Sequence, residues 1–295
     1  MPRAGGRRYQ VLARPWIRAL GGRKLRCAVP RVVRFECESL AIVDWHCPGD
    51  VVGPGTEERS PAYEVSIGRV GGHFCRFPDG EISADTAGLL LVNAGEPFRP
   101  IRRSRGLDRR TLIRLSERTV RELAGGGAAR FPRRYLPLSA RAALAHHALV
   151  DGATDPLAVH ELALAIAGEA FDGSWAPRPV TRLIRDAVHT VRETLAVRYS
   201  ERLLLDDLAG AVSLSPSHLS RSFHSVIGVR LHRYLTRVRL MAALERMRGE
   251  DRPELTAIAL DVGFSSHSHM TTAFRQFFGV PPSRIGARIR KRAAG

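Results

Sequence analysis

Little cysteine, few aromatics and no long apolar run mark this chain, and each shortage closes off a class of protein. Its 295 residues contain four cysteines, Cys27, Cys37, Cys47 and Cys75, all near the start of the chain. They follow no CxxC or zinc-ribbon spacing, so free thiols are expected rather than a disulfide framework or a structural zinc site. No apolar run approaches the length of a membrane-spanning helix, so no membrane partner is expected. The first twenty residues are basic but lack a continuous apolar stretch, which argues against a secretory leader and for the cytoplasm.

Acidic residues are scarce at both ends. Residues 1–34 hold ten Lys and Arg and no Asp or Glu, residues 35–182 carry a net charge of −1, and residues 183–295 carry +8, within a total of +17. A neutral middle between two cationic ends suits a protein that meets a polyanion. Residues 1–30, rich in Arg and Gly, read as a mobile basic arm.

From Val32 to about Leu115 the chain alternates short apolar segments with turn signals. Val32–Cys37, Leu40–Trp45, Tyr63–Gly68, His73–Phe77, Gly88–Val92 and Thr111–Leu115 are separated by Gly71-Gly72, Pro78-Asp79-Gly80 and a Gly-Glu-Pro loop. Short strands at this spacing predict an antiparallel sandwich or small barrel. Helical patterns follow over 116–123, 139–150 and 156–171, and Gly173 to Pro179 reads as an interdomain linker.

The last third contains one pattern written twice, over 203–228 and 255–279. Each copy has a small-residue helix, a Ser-rich helix start, a second helix with apolar residues four apart, and a closing glycine. This is the layout of a helix-turn-helix, whose second helix can lie in a DNA major groove. In the first copy Leu219, Phe223 and Val226 form the inward stripe, which leaves Ser217, Ser220, Arg221 and His224 outward. In the second, Met270, Phe274 and Phe277 point inward and Ser268, Thr271, Thr272 and Arg275 outward. Between them Leu231, Tyr234, Leu235, Val238, Met241 and Ala242 share one face of a connecting helix. Adjacent major-groove windows on one side of a duplex would set the two readers roughly 34 Å apart.

Taken together, LxxLA at Leu204–Ala209, SxSPSHLSRSF at Ser213–Phe223, Gly228, YLTRVRLMAAL at Tyr234–Leu244, IALDVGF at Ile258–Phe264 and FRQFFGVPPSR at Phe274–Arg284 resemble the AraC/XylS family of bacterial transcription regulators. The resemblance implies an α+β multidomain protein. A cupin-like antiparallel β domain with trailing helices, for sensing or dimerisation, would occupy 31–172, and an all-α DNA-binding domain with two helix-turn-helix units would occupy 180–292. It further implies double-stranded DNA as partner and recruitment or blocking of RNA polymerase, and it makes a small-molecule effector and a homodimer candidates for test. One departure is Thr272, where the family commonly carries arginine.

Among the outward residues Arg221 is the leading base reader, because bidentate Arg to guanine is the commonest specific contact. A phosphate contact or surface ion pair is its plainer alternative. His218 fits a phosphate-facing or partly buried position better than a base reader. Arg230, Arg233, Arg237 and Arg239 are phosphate-contact candidates, with Arg233 and Arg237 foremost. The His267-Ser268-His269 pair diverges by about 200° on a helix and reads poorly as a metal site. His46-Cys47, with Cys37 and Cys75, is a weak candidate for a thiol or metal sensor, while His146-His147 and His160-Glu161 read as helix-surface residues. No catalytic residue, cofactor or metal is indicated. The rival class is a cupin-type metalloenzyme or small-molecule binder, which needs several His and a Glu on neighbouring strands. Only His46 and His73 occur between 32 and 115. A nonspecific architectural DNA binder is a third reading.

Overall fold

The structure, a computed structural model, describes residues 31–50, 52–151, 155–172, 180–248 and 254–285. The expected arm over 1–30, Cys27, the linker over 173–179 and the residues after Ile285 lie outside these.

Two antiparallel sheets face each other. The larger runs in the order β1 (Arg31–Glu36), β2 (Leu40–Cys47), β10 (Asp108–Leu115), β5 (Tyr63–Val70), β8 (Gly88–Val92), β11 (Tyr135–Pro137). The smaller runs β3 (Gly53–Pro54), β9 (Pro97–Arg102), β6 (His73–Phe77), β7 (Gly80–Ala84), with β4 (Glu58–Arg59) also paired to β9.

Register decides what each face carries, because directly opposed residues share a face. Ile113 pairs with Ile42 and Val65, and Leu115 with Leu40, so one face of the large sheet is aliphatic. The opposite face carries Arg110 beside Trp45, and Arg114 beside Glu64. The aliphatic face does not look inward at the small sheet. It is covered from outside by α1 (Glu117–Leu123), α2 (Ala140–Asp151) and α3 (Pro156–Gly168), where Val120, Ala142, Val159, Ala163 and Ile166 complete the main core. Each fully buried Leu or Ile there contributes about 1.5–3 kcal/mol. Between the sheets lies a smaller cluster of Cys75, Phe77, Ala84, Leu90 and Val92, next to charged side chains.

The helical half follows: α4 (Arg182–Val197), α5 (Leu205–Ala211), α6 (Pro216–Ile227), α7 (Leu231–Arg246), α8 (Leu255–Asp261) and α9 (His267–Phe278). It is docked tightly on the β half. Ala87 and Tyr135 join the core of the first helix-turn-helix, while α9 packs on α2 and extends the main core.

The ion pair at the centre of this junction is fully buried. Asp85, after β7, accepts from Arg192 Nη2 of α4 and from the Tyr234 hydroxyl of α7. Arg192 Nε also donates to the Tyr234 oxygen at 3.2 Å, and its guanidinium lies 3.9 Å from the Tyr135 ring centre. Burial opposes the charge on Arg192, but Asp85, Tyr135 and Tyr234 together outweigh it and hold its pKa above the usual value. The Tyr234 hydroxyl is pushed well up by burial. Further out, Arg69 pairs with Glu245 of α7 at 3.0 Å, and Arg248 bonds Asp151 of α2.

Three expectations about packing change. His146 and His147 are buried, not surface residues, because α2 packs against α3 and α9, meets the sheet at Thr111, and is bonded at Asp151 by Arg248, just after α7. His146 Nε2 lies 2.9 Å from Thr111 Oγ1, and His147 Nε2 lies 3.3 Å from Asp151 Oδ2. The inward stripe of α6 is completed by Ile227, with Val226 half-buried, and that of α9 by Phe278, with Phe277 half-buried. Spacings of four keep one helix face, so Leu219-Phe223-Ile227 and Met270-Phe274-Phe278 hold their direction where a spacing of three drifts.

Two predictions follow from this packing. Arg192→Ala leaves Asp85 buried without its counter-charge, and is expected to destabilise the protein by about 3–5 kcal/mol, read as a lowered urea midpoint. The histidines set an acid limit. Burial, then Arg69 and Arg248, pushes the His146 pKa down to about 3, and burial also lowers His147 and, reinforced by Arg192, lowers His189 well below its usual range. A histidine with a depressed folded pKa contributes stability that is complete above its unfolded value of about 6.5 and is lost as pH falls toward the folded value. The urea midpoint is therefore expected to drop between about pH 7.5 and pH 5, with a shallower drop in His146→Gln. Equal midpoints at both pH values would refute it.

Candidate nucleic-acid interface

Each helix-turn-helix is built by local rules. In the first, Ser215 caps α6 by accepting from the His218 N–H at 3.3 Å, Pro216 occupies the first turn, and Gly228 ends the helix at φ 82°. In the second, Ser266 accepts from the His269 N–H at 3.1 Å and Gly279 ends α9 at φ 74°. Side-chain caps satisfy otherwise orphaned helix N–H groups, and left-handed glycine closes a helix without Cβ strain.

The two turns differ. Ser213 holds φ 55° where the second unit places Gly263 at φ 90°. A Cβ on Gly263 would sit 2.8 Å from the Ser200 carbonyl oxygen and 3.0 Å from Arg239 Nε, so glycine is required by space as well as by φ. Arg239 is committed there, donating to the Tyr199 and Glu201 carbonyls at 2.7 and 3.0 Å. It is therefore a brace under the second turn.

Beneath both recognition helices lies α7. Phe223 of α6 meets Tyr234 edge-on at 5.3 Å. On the other side Arg237 places its guanidinium 5.2 Å from the Phe277 ring of α9. Burial lowers the pKa of Arg237, and its half-buried position makes it a tie between α7 and α9, worth about 0.5–2 kcal/mol as a cation–π contact. At 1.5 Å per residue, α7 spans about 24 Å and separates the two units as a fixed strut.

Above this scaffold the outward residues form two polar ridges. On α6, Ser217, His218, Arg221 and His224 are exposed and Ser220 is half-buried. On α9, Ser268, Thr272 and Arg275 are exposed and Thr271 is half-buried, with its hydroxyl 3.3 Å from His267 Nε2. Arg233 is exposed on the first turns of α7. His267 and His269 find different partners: His269 bonds Ser265 at 3.0 Å and stacks edge-on against Phe264. Among the described residues no group of three or more His, Cys, Asp and Glu side chains is placed to hold a metal ion.

A second constellation, between the two sheets, escaped the sequence reading. Asp108 is fully buried; its Oδ2 lies 2.8 Å from His73 Nδ1 and 3.6 Å from Arg102 Nη1. Burial works against its charge, but Arg110, the His73 hydrogen bond and Arg102 outweigh it and keep the carboxyl below its usual pKa. The same burial lowers His73 and pushes the Cys75 thiol up to about 12, with Cys75 Sγ 3.3 Å from His73 Nε2. Arg114 pairs with Glu64 at 3.1 Å. Of these, His73, Cys75, Glu64, Arg110 and Arg114 line a cavity of about 80 Å³, with Asp108 and Arg102 behind its wall. Their signal in the sequence is period-two charge along Asp108-x-Arg110-x-x-x-Arg114, which is indistinguishable from a solvated strand face. His46 and Cys47 lie on opposite faces of β2, as neighbours in a strand must, and Cys37 contacts Ser39 at 3.1 Å, so the three cysteines in view form no joint site.

Comparison with known proteins gives the class. Residues 208–288 match the family described as "Helix-turn-helix domain". The chain is 34% identical over 101 residues to the HTH-type transcriptional activator RhaS of Pectobacterium carotovorum subsp. carotovorum (strain PC1), covering 34% of this chain and 36% of that protein. It is 37% identical over 76 residues to an AraC-like transcription regulator of Streptomyces lividans, covering 26% of this chain and 25% of that one. Similarity thus spans about a third of the length of the first of these relatives. A solved structure of ToxT from Vibrio cholerae O395 is similar over 86% of this chain and 99% of that chain, at 15% identity and a TM-score of 0.36. The two helix-turn-helix units on one strut define a DNA-binding domain. Through residues 208–288 the chain is similar to AraC-type transcription regulators.

Proposed function

We propose that the protein is a sequence-specific transcription regulator that places α6 and α9 in two successive major grooves of double-stranded DNA. The observation that carries this reading is the pair of exposed polar ridges on capped helices held by one strut. On α6 the base-reading role falls to Arg221, helped by Ser217, Ser220 and His224, with His218 toward phosphate. On α9 it falls to Ser268, Thr271, Thr272 and Arg275, a set with threonine at 272 that reads more permissively. Arg233 neutralises backbone phosphate, whereas Arg237 is held against Phe277 and contributes mainly by keeping α9 in place.

In this reading residues 31–172 form the sensing unit and 180–292 the DNA-binding unit, with a small-molecule effector between the sheets. RNA polymerase is the downstream partner, a homodimer the working assembly, and the cytoplasm the compartment. No helix among the described residues is long and apolar enough to cross a membrane. In this reading the protein acts without catalysis, and the Cys75 thiol, its pKa pushed up to about 12 by burial, serves as a packing group. The Bacillus subtilis (strain 168) protein named bifunctional transcriptional activator/DNA repair enzyme AdaA is 29% identical to this chain over 98 residues.

Footprinting on the upstream region of the protein's own coding sequence should show protection of two windows about 10 base pairs apart. Arg221→Ala is expected to cost about 1–3 kcal/mol at the cognate site and little on random DNA. Arg233→Ala should weaken both alike and reduce the salt slope by about one. Equal affinity for cognate and random duplexes across a salt titration would make the protein a nonspecific binder instead.

A further inference from the structure

The cavity between the sheets carries more guanidinium than it can satisfy. Arg110 and Arg114 project into it from alternate positions of β10 and are 2% and 3% exposed. Arg114 Nε donates to Glu64 at 3.1 Å, but its Nη1 is buried with no hydrogen-bond partner among the described residues. Arg110 Nη1 donates to Ser66 at 3.3 Å, while its Nε lies 3.1 Å from Asp108 Oδ1 without the alignment of a hydrogen bond. Towards the rim Arg31 pairs with Glu58 at 3.3 Å and Arg59 donates to the Gly95 carbonyl at 2.7 Å. The lining therefore carries four arginines and two glutamates, with Trp45 and Leu112 as apolar wall. A buried donor left unpaired costs about 1–3 kcal/mol, and a planar guanidinium fork is matched by a carboxylate.

One of these arginines also touches the junction with the DNA-binding half. Arg110 Nη2 donates to the Ala84 carbonyl, and the next residue, Asp85, holds Arg192 and Tyr234. The link has no slack: Gly68 pairs with Arg110 across the sheet, and a Cβ on Gly68 would come within 2.5 Å of the Asp85 carbonyl oxygen.

We infer that the cavity binds a small carboxylate, between acetate and benzoate in size, through Arg114 and Arg110, and that Arg110 passes its occupancy through Ala84 and Asp85 to α4 and α7. This rests on the regulator reading for its consequence, though not for the binding itself. A carboxylate that draws Arg110 toward itself weakens its hold on the Ala84 carbonyl and so moves the anchor of Arg192 and Tyr234.

The test is calorimetric titration of the full chain with acetate and benzoate, against acetamide, benzamide and sulfate. At least one carboxylate is expected to bind saturably and about tenfold or more tighter than its amide and than sulfate. Arg114→Lys, which keeps the charge and loses the fork, should weaken it about tenfold with unchanged circular dichroism. No saturable binding up to about 10 mM, equal binding of amide or sulfate, or unchanged binding by Arg114→Lys overturns the site. Saturating carboxylate should then change affinity for a fixed duplex about threefold or more, an effect diminished in Tyr234→Phe, which still binds the carboxylate. Binding with no change in DNA affinity overturns the relay. A protein that binds no DNA at all contradicts the regulator reading instead and leaves the calorimetry intact.

Discussion

The buried pair of Arg192 and Asp85 is the constraint on which the arrangement of the two halves depends. Each charge has lost its water, so each depends on the other and on Tyr234 to be tolerated. An apolar contact would be content with many relative positions of the two halves, whereas this one permits a narrow set. It joins three elements from distant parts of the chain: the segment after β7, the helix entering the DNA-binding half, and the strut between its two readers. The strut is thereby referenced to the β half, and the directions of both recognition helices are referenced to the strut.

The tandem repeat is less symmetric than its sequence. The first turn is open, and Ser213 adopts a left-handed conformation at a cost of about 1–2 kcal/mol. The second turn is packed under the Ser200 carbonyl and the Arg239 brace, so it takes glycine. The recognition helices differ as well: α6 buries its inner face in the core of its own unit, whereas α9 gives its inner face to the main core and to Arg237. One unit is specialised toward contact with the outside and the other toward holding the assembly together.

Much of this was legible in the sequence. Strand alternation, turn glycines, serine caps and the four-residue apolar spacings located the sheets, both helix-turn-helix units and their outward residues, because each is a local rule satisfied locally. What escaped was set by elements distant in the chain. His146 and His147 lie on a helix whose second side is covered because α9 and the Arg248 segment after α7 fold back over it. Arg237 resembles its neighbour Arg233 in sequence and differs by one aromatic ring forty residues away. The strand bearing Arg110 and Arg114 reads as half-solvated, since a polar face toward water and one toward a cavity have the same period. Asp85 and Arg192 gave no signal, as 107 residues separate them.

The placement of oil and charge on opposite faces of the large sheet has a consequence for how such a protein can change over time. Leu40, Ile42, Val65, Ile113 and Leu115 secure the sheet from outside, against helices. The residues inside are thereby relieved of most of the task of holding the β half together. Exchange of a polar side chain in the cavity, if its charge partner changes with it, leaves that outer core intact. A lineage can thus alter what the interior accepts while conserving the scaffold and the reading heads, which makes the specificity of the chamber and the durability of the fold separately heritable traits.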